Sequence, residues 1–147
     1  MKYVYYLSLI ALLITFSACK KNMGDNPYTT QDIQGKWMLK KQILQQYSNG
    51  VKYRDTTATA FNGDYIQFNT DGTGSFGANN GQIDFKWNVL DRAVTITKRI
   101  SNDMTLVTPY NILKLSNNEF VVIYDQSIRD PKNGTVYKDV SEEHYTR

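Results

Sequence analysis

Cysteine and histidine are almost absent from this sequence. Its 147 residues include one cysteine, Cys19, and one histidine, His144. A single cysteine cannot form an intrachain disulfide, and a zinc site needs about four nitrogen or sulfur ligands, or three and a water. Disulfide-stapled folds and Cys/His zinc centres are therefore excluded. We expect His144 to be a surface residue on the last strand.

Long apolar runs and runs of one charge are also missing. The apolar stretch from Val4 to Phe16 is shorter than the roughly 20 residues of a membrane-spanning helix, so a permanent spanning anchor is disfavoured. Lys and Arg occur at most in pairs and the formal net charge is +3, which gives no indication of a nucleic-acid partner. Because no glycine-rich phosphate loop precedes a helix, we expect no nucleotide or other cofactor.

Acidic residues number 14, but no spacing among them singles out a catalytic pair. Glu142 and Glu143 would point to opposite faces of a strand. Asp71 and Asp91 stand at predicted turns, where aspartate is favoured for backbone reasons. Segment 130–134 lacks the alternating acidic ligands of a calcium loop and is predicted to be a turn. The sequence therefore indicates neither an enzyme nor a metal site.

The N-terminus, in contrast, carries a recognisable export pattern. Lys2 precedes the apolar stretch, and Ser17-Ala18-Cys19 follow it, as in a signal peptide with a small-residue cleavage site. Small residues before a cysteine resemble the lipobox of bacterial lipoproteins. The resemblance implies cleavage before Cys19 and a diacylglyceryl group on its sulfur, usually with a further acyl chain, since stable anchoring takes two or more chains. Ordinary secretion is the alternative.

Three parts follow along the chain. Residues 1–18 are predicted to be the signal peptide, residues 19–29 a flexible tether with the lipidated Cys19, and residues 30–147 a single domain. We expect a lipid-anchored protein of the cell envelope, at the outer membrane, with the face of that membrane left open. The membrane is thus one expected partner.

The domain is punctuated by Asn-Gly and Asp-Gly dipeptides, which favour the positive φ angles of tight hairpin turns. They are Asn49-Gly50, Asn62-Gly63, Asp71-Gly72, Asn80-Gly81 and Asn133-Gly134. Between them lie runs rich in β-branched and aromatic residues, several alternating apolar with polar, as in strands with one buried face. The predicted strands are 36–47, 51–54, 64–69, 74–78, 82–90, 93–99, 104–115, 119–126 and 136–146.

The start of the domain leaves two interpretations open. Leu39, Ile43 and Tyr47 also fall at helical spacing, so a helix remains an alternative to the first strand. Before it, Thr29 or Thr30 could cap a short helical turn that Gly35 ends.

About eight sequential antiparallel strands form a meander, which hides its two edges by closing into a barrel. The predicted fold is therefore all-β: an eight-stranded antiparallel up-and-down barrel or meander, with a short helical turn before the first strand.

The order of several short motifs strengthens this interpretation. They are Gly35-Lys36-Trp37 at the first strand, the hairpin Tyr65-Ile-Gln-Phe-Asn-Thr-Asp-Gly-Thr-Gly74, Phe85-Lys86-Trp87 before Val94-Thr95-Ile96, and the late strand 120–124. In this order they resemble the lipocalin-like domain lipoproteins of Gram-negative gut anaerobes, over about residues 33–146. Classical lipocalins share the Gly-x-Trp, but their disulfides are absent here.

The resemblance implies a barrel that binds a small apolar or amphipathic ligand. Aromatic residues of the predicted strands are the expected ligand-binding residues, and filling of a solid core is the alternative. They are Trp37, Phe68, Phe85, Trp87 and Tyr124. If the barrel is solid, the protein would instead be a structural or interaction module that engages another envelope component.

One further resemblance concerns modification. Asp55-Thr56-Thr57 is similar to the short O-glycosylation signal of the same bacterial group. It is predicted to lie in a polar loop after the first hairpin, which makes Thr56 a candidate O-glycosylation site.

Overall fold

The computed structural model describes residues 28–78 and 81–147. These residues form one helical turn, α1 (Thr30–Ile33), and antiparallel strands that follow it directly. The strands are β1 (Gly35–Ser48), β2 (Val51–Ala58), β3 (Tyr65–Phe68), β4 (Thr73–Ala78), β5 (Gly81–Leu90), β6 (Ala93–Arg99), β7 (Thr105–Leu115), β8 (Glu119–Arg129) and β9 (Val136–Thr146). The predicted signal peptide, Cys19 and nearly all of the predicted tether lie outside the described residues.

The helical turn begins and ends as the sequence predicts. The backbone N–H and the hydroxyl of Thr29 both donate to the Asp32 carboxylate, each at 2.7 Å. The Asp32 carboxylate thereby pairs the backbone N–H of Thr29, the residue that precedes the helical turn. Ile33, the last residue of the turn, is fully buried. Gly35 then has a φ of +112° and begins β1.

β1 is a long strand, so the helical alternative for this segment is wrong. One edge pairs with β3 through Gly35–Met38 and with β2 through Gln42–Ser48. The other edge pairs with β9 from Met38 to Ser48. Backbone pairing on both edges outweighs the helical spacing of three apolar residues, because spacing is a weaker constraint than a ladder of tertiary hydrogen bonds.

The sheet closes into a barrel. β3 to β8 each pair with the next strand in sequence, β9 pairs with β1, and β1 pairs with β3. Eight strands, β1 and β3 to β9, therefore form the closed antiparallel barrel that the sequence predicts. β2 lies beside the second half of β1, on the same edge as β3.

Two predicted boundaries are wrong. β2 continues to Ala58 instead of ending at residue 54, because β1 extends far enough to pair Leu44 with Thr56 and Gln42 with Ala58. The segment 55–57 is therefore strand and not loop. β8 likewise continues to Arg129, since β9 pairs with it as far as Val136.

Most glycine dipeptides lie in the turns that they predict. Asn49 and Gly50 both have positive φ, at 48° and 82°, as a tight hairpin turn requires. Gly72 and Gly134 also have positive φ, at 79° and 74°. Asn62-Gly63 instead lies in the connection between β2 and β3, which pair with β1 and not with each other. Asn80 of the Asn80-Gly81 dipeptide lies outside the described residues.

The two ends of the barrel differ. One end, which we call the closed end, carries α1, the Asp91-Arg92 turn and the C-terminal Arg147. There the Trp37 indole N–H donates to the Ile33 carbonyl at 2.7 Å, and the Arg147 guanidinium lies 3.9 Å from the Trp37 ring centroid. The opposite end, the open end, carries the tips of the β1–β2, β6–β7 and β8–β9 hairpins.

Within the two described ranges, no helix is both long enough and apolar enough to cross a membrane.

Candidate functional site

The half of the barrel next to the closed end is filled by side chains. Phe68 lies at its centre, with ring centroids 5.0 Å from Trp87, 5.8 Å from Phe85 and 6.0 Å from Phe120. The void between Phe68, Val94 and Phe120 has no space for a water molecule. This half is a packed core, as in small barrels whose interior is plugged by side chains.

The half next to the open end has an interrupted wall. β7 and β8 pair only through Asn111–Leu115 and Phe120–Ile123, so residues 105–110 and 124–129 run on without pairing to each other. On the other side β3 is only four residues long, and beyond it β2 and β4 are not paired. The strands are therefore held apart where the core ends.

A cavity of about 440 Å³ lies on the β3 side of this half of the barrel. Side chains from four strands that face the barrel interior reach it, together with residues at the start of β3 and at the β4–β5 hairpin. The interior-facing residues are Leu39, Phe76, Ile83, Glu143 and Tyr145. Ile83 is 52% exposed, so the cavity is open to solvent.

A group of polar side chains separates this cavity from the packed core. Tyr145 donates its hydroxyl to Glu143 Oε2 at 2.6 Å. Gln42 Nε2 donates to Glu143 Oε1 and to Ser141 Oγ, both at 3.2 Å. We call Gln42, Ser141, Glu143 and Tyr145 the polar floor. Its members come from β1 and β9, the two strands whose pairing closes the barrel.

The carboxyl group of the polar floor is largely buried. Glu143 is 8% exposed, and its burial raises the pKa of this carboxyl above its ordinary value, against the opposing effect of the Tyr145, Gln42 and Ser141 hydrogen bonds. Burial, and after it the charge of Glu143, also raises the pKa of the Tyr145 hydroxyl. A carboxyl that costs free energy to bury and yet faces a cavity is typical of a functional site.

Two tyrosines lie beside the floor. The Tyr110 and Tyr124 rings pack 4.6 Å apart, at a second cavity of about 250 Å³ between the separated ends of β7 and β8. Burial, and after it Glu143, raises the pKa of both hydroxyls. Phe76 lines both cavities, so the two adjoin at this residue.

A larger hollow of about 680 Å³ lies on the outer surface of β4 to β6. Its lining includes the outward-facing Thr73, Gln82, Asp84, Lys86 and Arg99. Most of its lining residues are polar and face away from the barrel interior, so this hollow lies outside the barrel lumen.

The sequence-predicted ligand residues divide between the two halves. Four of the five lie in the packed half, where Trp37 is 0% and Trp87 7% exposed. The Trp87 indole N–H already donates to the Thr73 carbonyl at 2.7 Å. Only Tyr124 lines an interior cavity. Contact of Trp37, Phe68, Phe85 and Trp87 with a ligand stays a prediction, and their packing favours the core alternative.

Sequence reasoning missed Glu143 and Gln42. Glu142 and Glu143 do lie on opposite faces of β9, as predicted, with Glu142 bonded to His144 Nε2 at 2.6 Å on the outer face. The available signal was the alternation Ser141, Glu143, Tyr145, in which polar residues occupy the inward positions of a strand. An inward carboxyl needs a partner or a ligand, which the sequence pattern alone does not reveal.

The remaining predicted sites have these positions. Thr56 is exposed on β2, and its O-glycosylation stays a prediction. Cys19 lies outside the described residues. Within residues 28–78 and 81–147, no group of three or more His, Cys, Asp or Glu side chains could hold a metal ion.

Comparison with known proteins now adds to this geometry. A search of curated proteins gives no match to the sequence. Residues 33–122, more than half of the chain, match the lipocalin-like domain family. The matched segment begins in α1 and runs through β1 to the first half of β8, which includes most of the barrel wall. The family match and the closed eight-stranded barrel indicate the same fold. The chain therefore belongs to the lipocalin-like domain family.

Proposed function

We propose that this protein binds one small apolar or amphipathic molecule in the open half of its barrel. The observation that carries the proposal is the division of the interior: packed aromatic rings fill one half, whereas a cavity of about 440 Å³ remains in the other. Ligand pockets of roughly 300 to 1,000 Å³ with apolar walls and a few polar groups are typical of small-molecule sites. This cavity has that size, and Leu39, Phe76 and Ile83 supply apolar walls.

The arrangement supports binding and not catalysis. Catalysis by a pair of acids needs two positioned carboxyl groups. Asp64 also lines the cavity, but Glu143 is the only carboxylate of the polar floor. Its neighbours Gln42, Ser141 and Tyr145 are committed to hydrogen bonds within the floor. We therefore propose a rigid receptor with an orienting polar end.

Native mass spectrometry tests the proposal. The protein is purified from its own host in a mild non-ionic detergent and sprayed under conditions that keep non-covalent complexes intact. We expect one co-purifying small mass, released on denaturation. The bare chain mass from several independent preparations, together with no saturable binding of an apolar probe, would overturn the proposal.

We further propose that the protein is a lipoprotein of the outer membrane, anchored through Cys19. The support is the N-terminal sequence pattern, and the closed end suggests an orientation. Tyr28 N donates to Asp91 O at 3.0 Å, so the chain enters the domain at the closed end. An anchor before Tyr28 would direct the cavity away from the membrane. Cys19→Ser should abolish lipidation and lipoprotein cleavage; a variant that still partitions into detergent after correct cleavage would contradict the anchor.

A second function is favoured by a separate observation. All residues of β2 are exposed, and among the described strands it pairs only with β1. Val51 and Tyr53 are 70% and 57% exposed there. A free strand edge can accept a strand from another envelope protein. A photo-crosslinking residue at position 53 should then give a defined adduct in the host, and the same residue at the exposed Tyr137 should not.

A further inference from the structure

The polar end of the cavity carries charge of one sign. Two acidic residues line the cavity, Glu143 at the polar floor and Asp64 just before β3, and no Lys or Arg is among its lining residues in the described part of the chain. Lys98 lines the neighbouring cavity instead. The remaining interior-facing lining is apolar or aromatic. A molecule that fits must therefore combine an apolar body with an end that matches an acidic site.

The Glu143 carboxylate can still accept hydrogen bonds. Each of its oxygens takes one bond from within the floor, Oε1 from Gln42 and Oε2 from Tyr145. A carboxylate offers about four acceptor positions in all, and a hydrogen bond from Ser141 takes a third, so about one is left. Both donors hold the carboxylate in one orientation, which removes part of the entropic cost of binding a donor there.

We propose that the ligand is an amphipathic amine, an inference that rests on the proposed function. Its ammonium group would donate to Glu143, and its apolar body would lie between Leu39, Phe76 and Ile83. An ammonium group next to a carboxylate makes charge-assisted hydrogen bonds, the stronger class of such bonds. It would also compensate the buried carboxylate, which is otherwise costly. A fatty acid would place a like charge against Glu143. An alcohol would gain a hydrogen bond but no charge pairing.

The test compares three molecules that share a tail and differ in the end group. Nile red, a neutral apolar fluorescent dye, is bound to the full chain carrying Cys19→Ser, so that no attached acyl chain competes. Octylamine, octanol and octanoate then displace it at neutral pH. We expect octylamine to act at a concentration about tenfold or more below the other two, a factor that one charge-assisted bond supplies. Equal potency, or a lead by octanoate, would overturn the amine assignment.

Two variants test whether Glu143 is the group that gives octylamine its advantage. Glu143→Gln keeps the shape of the side chain and removes its charge, and we expect the advantage of octylamine over octanol to disappear. Glu142→Gln makes the same change one residue away, on the outer face of β9, and should keep it. If Glu143→Gln keeps the preference for octylamine, Glu143 is not the acceptor and the assignment is overturned. If Glu143→Gln fails to fold, the comparison of the three molecules on the unaltered interior decides alone.

Two results of the Nile red experiment separate the amine ligand from the binding cavity itself. Absence of saturable Nile red binding contradicts the proposed function itself. Saturable binding of Nile red with no preference for octylamine leaves the receptor in place and removes only the amine.

Discussion

Gln42 and Glu143 stand 101 residues apart in the sequence, and the amide of one donates to the carboxylate of the other at 3.2 Å. They are direct partners in the ladder between β1 and β9. The strand pair that closes the barrel thus also builds the polar floor. Closure and the candidate site depend on the same backbone register, so a shift of one residue between the two strands would put these side chains on opposite faces of the sheet.

Tyr145→Phe tests the hydrogen bond at the floor. The change removes the hydroxyl that donates to Glu143 at 2.6 Å and leaves a buried acceptor short of one bond. We expect the free energy of unfolding to fall by about 1.5 to 3 kcal/mol, the range for bonds to charged groups. Tyr137→Phe on the same strand is the control, because Tyr137 is 43% exposed. This variant should change the free energy of unfolding by less than about 0.5 kcal/mol. Equal effects of the two variants in urea unfolding would contradict the role of the bond.

Glu143 should make stability depend on pH in a definite direction. Its pKa is raised above 4.5 in the folded state, so the folded chain holds this proton more tightly than the unfolded chain. The contribution is fully present below about 4.5 and is lost as pH rises through the folded pKa. Tyr110, Tyr124 and Tyr145 face the same carboxyl, and their pKa values are raised above 10, so they stay neutral in this range.

The measurement is the unfolding free energy of the wild type minus that of Glu143→Gln, across pH 4 to 8. Subtraction removes the effect of the exposed carboxylates that both chains share. We expect this difference to decrease as pH rises from about 4.5 and then to level off. A difference that increases with pH would mean that Glu143 is stabilised as a carboxylate in the fold.

Gly72 should resist substitution. Its φ is +79°, and its N–H donates to the Asn69 carbonyl in the turn between β3 and β4. A β-branched residue disfavours this conformation by about 1 to 2 kcal/mol, so Gly72→Val should lower the urea midpoint accordingly. Thr70→Val, in the same turn but without a positive φ, is the matched control. A Gly72→Val chain as stable as Thr70→Val would show that the turn tolerates this strain.

Trp87→Phe and Phe76→Leu should separate stability from binding. Trp87 is packed against Phe68 and its indole N–H is bonded to Thr73, so we expect a loss of about 1 to 3 kcal/mol in unfolding free energy with unchanged Nile red affinity. Phe76 lines both interior cavities, so its replacement should weaken Nile red binding. Weakened binding by Trp87→Phe at unaltered stability would return the ligand to the aromatic residues that the sequence predicts.

The fold was predictable because it depends on local alternation. The run from Ile83 to Val89 alternates apolar and polar residues, and Phe85 and Trp87 are buried as that alternation requires. Asn49-Gly50 predicts its hairpin for an equally local reason, two successive positive φ angles. The length of β2 was not predictable in this way, because Thr56 becomes strand only through its distant partner Leu44.

The site was not predictable, because it depends on where pairing stops. Alternation assigns Trp87 and Tyr124 equally to the interior, yet one lies in the packed half and the other at a cavity. That difference arises because β7 and β8 pair only through their Asn111–Leu115 and Phe120–Ile123 segments, a tertiary feature. Glu143 was hidden for a similar reason, since a Glu-Glu doublet near the end of a polar strand does not show which carboxyl finds Gln42.

We propose above all that the open half of the barrel is a binding cavity. Ala78 lines that cavity on β4, so Ala78→Trp should fill part of it without disturbing the packed half. Ala60→Trp, in the exposed connection after β2, is the matched control. Nile red titrated into the full chain with Cys19→Ser should bind with saturation, and Ala78→Trp should lower its affinity about tenfold, a loss of about 1.4 kcal/mol, while Ala60→Trp leaves it unchanged. Equal affinity of the two tryptophan variants, or no saturable binding to either, would contradict a ligand cavity in this barrel.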